Sequence, residues 1–262
     1  MILLTTDQHQ NVLLNLHRLG RDQVSELPFH SAGPEYTSLM IGFLLQNLQC
    51  AGTLLRLVDT FTNEHYPVDI GFTIAGKMFE TDVTAHYVSQ YPIERTRDYL
   101  AYSDVLVKQR MDAYARHCKG KHPESVLSLG WKNYWAKHQR DVNRKFLAVA
   151  DRFRLTDRDG RRADFSNWSG LTLQEMAATV QHNETFDIFM AELAAVKHVD
   201  ISLADRFLQP LPDGQVWFQS ADDLEVCNVF RHAATFFTCF LKLFGQQLNT
   251  WTADEVQGCW EV

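Results

Sequence analysis

The chain is short of everything that interrupts a helix. Its 262 residues hold seven prolines and thirteen glycines, and β-branched runs bounded by Asn-Gly or Asp-Gly turns are almost absent, which argues against a sandwich or barrel. Cysteine is scarce too. Cys50, Cys118, Cys227, Cys239 and Cys259 lie far apart with no Cys-x-x-Cys, which removes zinc ribbons and thioredoxin-like pairs and predicts reduced, mostly buried thiols. Met1-Ile2-Leu3-Leu4 turns polar at Thr5 with no basic start, unlike a secretory leader, so a cytoplasmic location is expected. Long unbroken apolar runs are missing as well: Leu39 to Val58 is interrupted by Gln46, Asn47, Gln49 and Arg56. It reads as a core helix, and no membrane partner is expected.

What remains is an ordinary globular composition, 45% hydrophobic and 22% charged, which excludes disorder and a disulfide-stapled miniprotein. Apolar residues recur at three- and four-residue spacing through most of the chain. That predicts an all-α fold, a single helical bundle of about six long helices over residues 1–262.

Punctuation sets the expected helix ends. Leu4 to Leu19 closes at Gly20 as a C-terminal cap, and Pro34 opens a helix to about Phe61. A third starts at Pro67 and Asp69 and ends near Tyr91, ahead of Pro92, with Ile70, Ile74, Met78 and Phe79 as its stripe. A fourth runs from Ile93 to about His117 and a fifth from Pro123 to about Phe153. Asp157 to Arg162 is the clearest loop, and a subdomain break is placed near 155–165. Thr172 and Glu175 read as a capping box opening a helix of about ten residues. Glu184 to Val196 is another helix, followed by a break at His198-Val199-Asp200 and a short helix to Leu208, and Pro210, Pro212 and Gly214 mark a second loop. The last helix, Leu224 to Leu248, is apolar on most sides and belongs at the bundle's centre.

Signatures of strong chemistry are missing. His-Glu-x-x-His, Glu-x-x-His, Gly-x-Ser-x-Gly and the Gly-rich phosphate and dinucleotide loops do not occur, so no metal and no cofactor are expected. Candidate polar chemistry lies at Glu80, flanked by Met78, Phe79 and Val83 and so expected to be partly buried. It extends to His86, four residues after Asp82 on one helix face, where the carboxylate can orient the imidazole. His198 stands at the helix break. Glu80, His86 and His198 together would make an acid and base set in an interhelical cleft; the alternative is a set of structural polar core groups.

Charge is unevenly spread. Between Lys108 and Arg162 stand fifteen Lys and Arg against six Asp and Glu, in a chain whose net charge is -7. Trp131, Tyr134, Trp135, Phe146 and Phe153 interleave with Lys132, Lys137, Arg140, Arg144 and Lys145. Cations beside stackable rings suit RNA or single-stranded nucleic acid; the alternative is core aromatics beneath a solvated or protein-facing cationic surface. The candidate face is Lys132, Trp135, Arg140, Arg144 and Lys145.

Two resemblances add to this. Ile74-Ala75-Gly76-Lys77-Met78-Phe79-Glu80, then Tyr87, then Glu94 through Tyr102, resembles an uncharacterised bacterial family, the domain of unknown function number 5677. Trp168 through Ala177, Phe186 and Lys197-His198-Val199-Asp200 resemble the family's second half, so the likeness covers about residues 36–245. It implies an all-helical fold and a bacterial cytoplasmic setting. The family carries Arg four residues before the Glu, where this chain has Gly76; either Lys77 replaces that cation from three residues away or the pair is lost. Separately, Arg110 followed by His117 is similar to the Arg and His pair of small helical ribonucleases of the higher eukaryotic and prokaryotic nucleotide-binding fold, although Met111 stands where a polar residue belongs. The expectation is an interaction or regulatory component, in a defence or stress module, with a protein partner or a second copy. The alternative is a metal-independent ribonuclease or other hydrolase, with RNA held through residues 108–162.

Overall fold

A computed structural model describes residues 4–22, 31–61, 65–118, 126–156, 162–165, 167–197, 208–210, 216–218 and 223–262. The fold is all-α. Its long helices are α1 (Thr6–Asp22), α2 (Pro34–Thr60), α3 (Val68–Gln90), α4 (Pro92–Cys118), α5 (Val126–Val149) and α8 (Asp223–Leu248). Shorter helices are α6 (Leu173–Thr179), α7 (Asn183–Lys197) and α9 (Ala253–Gly258), and a single 3-10 turn, Ala150–Arg152, follows α5. Two antiparallel ribbons break the helical pattern. β1 (Arg154–Thr156) pairs with β2 (Arg162–Phe165), and β3 (Leu208–Pro210) with β4 (Val216–Phe218). Both expected loops are therefore flanked by short strands.

The chain divides into two compact units, Met1–Pro92 with Leu173–Val262, and Ile93–Thr172. The boundaries fall beside Pro92 and Thr172, and the 155–165 segment lies inside the second unit.

In the first unit α8 packs against α3, α1, α2 and α9, the central position its apolar faces predict. Phe236 lies 4.9 Å from Phe79 of α3 and 5.1 Å from Phe189 of α7, ring centre to ring centre. Phe236, Phe237 and Phe240 are all buried, and fully burying one such ring stabilises by about 1.5–3 kcal/mol. The helix stops in a Schellman turn: Asn249 takes a left-handed conformation (φ 52°) and the Thr250 N–H donates to the Gly245 carbonyl, an arrangement that suits Asn. By length and composition α2 is long and apolar enough to cross a membrane, and it also lays Phe43, Leu44, Leu48 and Leu54 into the core.

Two expectations are corrected. Gly20 lies inside α1, not at its cap; a Cβ there would stand 3.2 Å from Leu48 Cδ2 and 3.4 Å from Leu44 Cδ1, so this glycine lets α1 approach α2 closely. The expected stripe of α3 holds in its second half only. Met78 and Phe79 are buried but Ile70 is 48% exposed, and Phe72, Ala75, Asp82 and Val83 complete the inward face. Ile70 and Phe72 are both apolar in sequence, so periodicity alone does not choose between them.

Within the second unit Tyr102 meets Phe153 edge-on at 5.2 Å and Tyr99 meets Trp168 at 5.0 Å. Arg152 donates to Asp98, tying the 3-10 turn to the start of α4.

Candidate functional site

Asp82 sits on the buried stripe of α3 with its side chain 1% exposed. A carboxylate so placed requires partners, because desolvation strongly disfavours an isolated charge. Two imidazoles supply them. His86, one turn on, places Nδ1 3.0 Å from Asp82 Oδ1 and also 3.0 Å from the Asp82 backbone carbonyl. His182 places Nδ1 3.3 Å from Asp82 Oδ2. The two rings lie 4.8 Å apart, tilted by 57°. His86 Nδ1 thus faces both the carbonyl and Oδ1, and the buried Oδ1 is paired by charge without a well-aligned hydrogen bond.

The backbone explains how His182 arrives there. After α6 the chain turns through Gln181 in a left-handed conformation (φ 62°), and the His182 N–H donates to the Ala177 carbonyl at 2.7 Å. His182 then caps α7: its carbonyl accepts from the Phe186 N–H at 2.9 Å. Gln90 at the end of α3 donates to the Thr179 carbonyl, fastening that turn to the helix bearing Asp82 and His86. A turn beyond His86, the Tyr36 hydroxyl of α2 lies 2.7 Å from Ser89 Oγ and donates to Gln247 of α8. Three helices are thus pinned beside the cluster.

The electrostatics follow from this geometry. Burial alone would raise the Asp82 carboxyl, but the two imidazoles at its oxygens overcome that and hold it below the usual carboxylate range. For His86, burial opposes the charged ring, yet the adjoining carboxylate wins and raises it. On α8 the Cys239 thiol is pushed up to about 12 by burial and by the Asp82 charge, which keeps it protonated rather than nucleophilic. The imidazoles are a fifth to a quarter exposed. They therefore offer edges to solvent while their carboxylate does not.

The structure places the sequence candidates unevenly. His86 pairs with Asp82 as its spacing predicts. Glu80 does not join them: it is half exposed and its Oε2 accepts from Lys77 Nζ at 2.7 Å. Two residues separate Glu80 from Asp82, about 200° around a helix, so burying one turns the other outward. Lys77 thus provides a cation for Glu80, while a Cβ at Gly76 would meet the Phe189 ring at 3.4 Å. His198 and His117 lie outside the residues whose side chains are described. His182 is the member that sequence reasoning missed; nothing local marks it except its place just before a helix start.

Of the basic face, the side chains of Lys132 and Trp135 lie outside the description. Arg140 is exposed on α5. Arg144 and Lys145 both grip Asp141, at 2.6 and 3.1 Å. Phe153 is buried and Lys108 sits over the Phe146 ring, so Phe153 packs in the interior rather than offering a stacking surface.

A second carboxylate and imidazole pair joins α7 to α8. His232 Nε2 lies 2.7 Å from Glu192 Oε2, and Arg231 donates to Glu192 Oε1. His232 is buried among Phe72, Phe189 and Phe236, and burial lowers it despite the Glu192 charge. It fastens two helices. No family model, no curated protein and no solved structure matches this chain.

Proposed function

We propose that the protein is an enzyme of the hydrolase class whose reacting centre is Asp82, His86 and His182. The observation that carries this is one buried carboxylate holding two partly exposed imidazoles. Such a carboxylate orients each ring through Nδ1 and leaves Nε2 for chemistry: one neutral imidazole takes a proton from the attacking hydroxyl, and the other, protonated, gives one to the leaving oxygen. Hydrolysis and phosphodiester transfer both need that pair of steps. The reading takes up the hydrolase alternative in place of the interaction or regulatory component expected first, and moves its residues from Glu80 and His198 to Asp82 and His182.

A phosphodiester is the substrate class to try first, since its transfer needs both a base at the attacking hydroxyl and an acid at the leaving oxygen. Labelled single-stranded RNA is the substrate to test. We expect cleavage by the wild type, and a loss of 10²- to 10⁴-fold in His86→Gln and His182→Gln, the usual size of one acid or base contribution. Glu80→Gln should cleave as the wild type does, because Glu80 faces solvent. No cleavage by the wild type, or cleavage by the two histidine variants equal to that of the wild type, would overturn the proposal.

A further inference from the structure

We infer that Asp82, His86 and His182 also form a binding site for a single divalent transition-metal ion of the zinc type, a ligand the acid and base reading does not require. The donor set is two imidazoles and one carboxylate, with one ligand atom from each residue lying within 4.8 Å of the others. That mixture selects ions such as Zn²⁺ or Co²⁺ over Mg²⁺ and Ca²⁺, which prefer all-oxygen shells.

Spacing supports the inference. An ion bound at about 2.0–2.2 Å to nitrogen and oxygen sets its tetrahedral ligands roughly 3.3–3.6 Å apart. His86 Nδ1 lies 3.0 Å from Asp82 Oδ1 and His182 Nδ1 3.3 Å from Oδ2, so each carboxylate oxygen already stands near ligand spacing from one ring. Only the imidazoles must draw towards each other, and both lie on the more open side of the cluster, one on α3 and one at the α7 cap.

A second, independent observation is the state of the carboxylate. Asp82 Oδ1 is buried and, with His86 Nδ1 3.0 Å away, still meets no donor in hydrogen-bond geometry; a buried acceptor left so is costly and in native proteins has a reason. A cation seated between the three side chains satisfies that oxygen. Three protein donors leave a fourth position for solvent on the exposed side of the rings, the open arrangement of catalytic rather than structural sites. An ion held by Asp82, His86 and His182 would supply an activated water as nucleophile, within the same class of reaction.

Full-length protein stripped with EDTA and freed of the chelator, then titrated calorimetrically with ZnCl₂, tests the inference. We expect one Zn²⁺ per chain, no heat with MgCl₂, and visible Co²⁺ bands whose intensity reports four- or five-coordination. Asp82→Asn and His182→Gln should each weaken Zn²⁺ binding by at least about 100-fold, beyond the 10- to 100-fold typical of an outer-shell change. Asp82→Asn removes a buried charge and needs a check of its thermal unfolding. His182→Gln alters a partly exposed cap, so its result stands if the other variant does not fold. Absent binding, or binding that His182→Gln and His86→Gln leave unchanged, overturns the inference. RNA cleavage that persists in EDTA without any Zn²⁺ binding would overturn it while leaving the acid and base reading intact. Zn²⁺ binding lost in these variants, in a protein that cleaves no RNA, would establish the metal site and remove the proposed activity.

Discussion

At the scale of single residues, close packing makes one glycine indispensable. A Cβ at Gly245 would lie 2.4 Å from the Trp251 carbonyl oxygen and 2.6 Å from its ring, and Trp251 has little freedom to retreat. It stacks on Phe244 at 5.3 Å and donates from Nε1 to the Leu241 carbonyl. Gly245→Ala should therefore destabilise by about 1–3 kcal/mol through overpacking; an unchanged urea midpoint would show that the Trp251 turn yields freely. The same scale governs what the sequence discloses about the site. The Asp82 and His86 pairing is legible, because four residues on a helix return a side chain to the same face. Glu80 misleads because its apolar neighbours Met78 and Phe79 lie on the buried face while it does not. His182 reaches the cluster through a left-handed Gln181, a residue type that does not announce such a turn, and through contacts with Asp82 and His86, about a hundred residues earlier in the chain.

Elements were more readable than residues. Pro34, Pro67 and Pro92 bound helices where proline belongs at or just before the first turn, and the all-apolar character of α8 marks its central place. Phe237 of that helix is fully buried and close to Gly20 of α1. Phe237→Ala should leave a cavity where α1 and α8 meet and cost about 3–5 kcal/mol; thermal unfolding unaltered by it would contradict a central α8. The ribbons show the opposite case. Asp159-Gly160 falls between β1 and β2, and Asp213-Gly214 between β3 and β4. These are the two Asp-Gly pairs of the chain, and Asp-Gly is a hairpin dipeptide. Strands of three or four residues carry too little alternation to register as a period, so the dipeptides read as loops. A Thr-x-x-Glu capping box with both reciprocal bonds opens α9 at Thr252 and Glu255, formed by the same residue types as the one anticipated at Thr172 and Glu175.

For the whole molecule, the division into units left little trace in composition. Residues 93–172 enter and leave the first unit beside Pro92 and Thr172, with no linker rich in Pro, Ser or Gly to mark either crossing, because each crossing coincides with a helix start. Charge does follow the division: seventeen Lys and Arg against ten Asp and Glu fall in 93–172, so that +7 stands there and -14 in the remainder. The response of the folded chain to acid depends instead on its buried histidines. His9, His17 and His232 are all lowered, chiefly by burial, with Arg231 adding to the effect at His9 and His232, and Arg21 and Arg56 at His17. Each binds its proton more readily unfolded than folded. As pH falls through about 6.5, the ordinary histidine value, the unfolded chain takes up more protons than the folded one, and stability declines with it. His86 is raised and acts in the opposite sense, its contribution present below about 6.5 and lost as pH rises through its folded value. With three histidines against one, urea unfolding should show less stability at pH 5.5 than at 7.5. His9→Gln should make that dependence shallower, because the ring that resists protonation between Cys227 and Trp260 is gone. A protein that gains stability on acidification would mean that the Asp82 pairing with His86 outweighs all three buried rings.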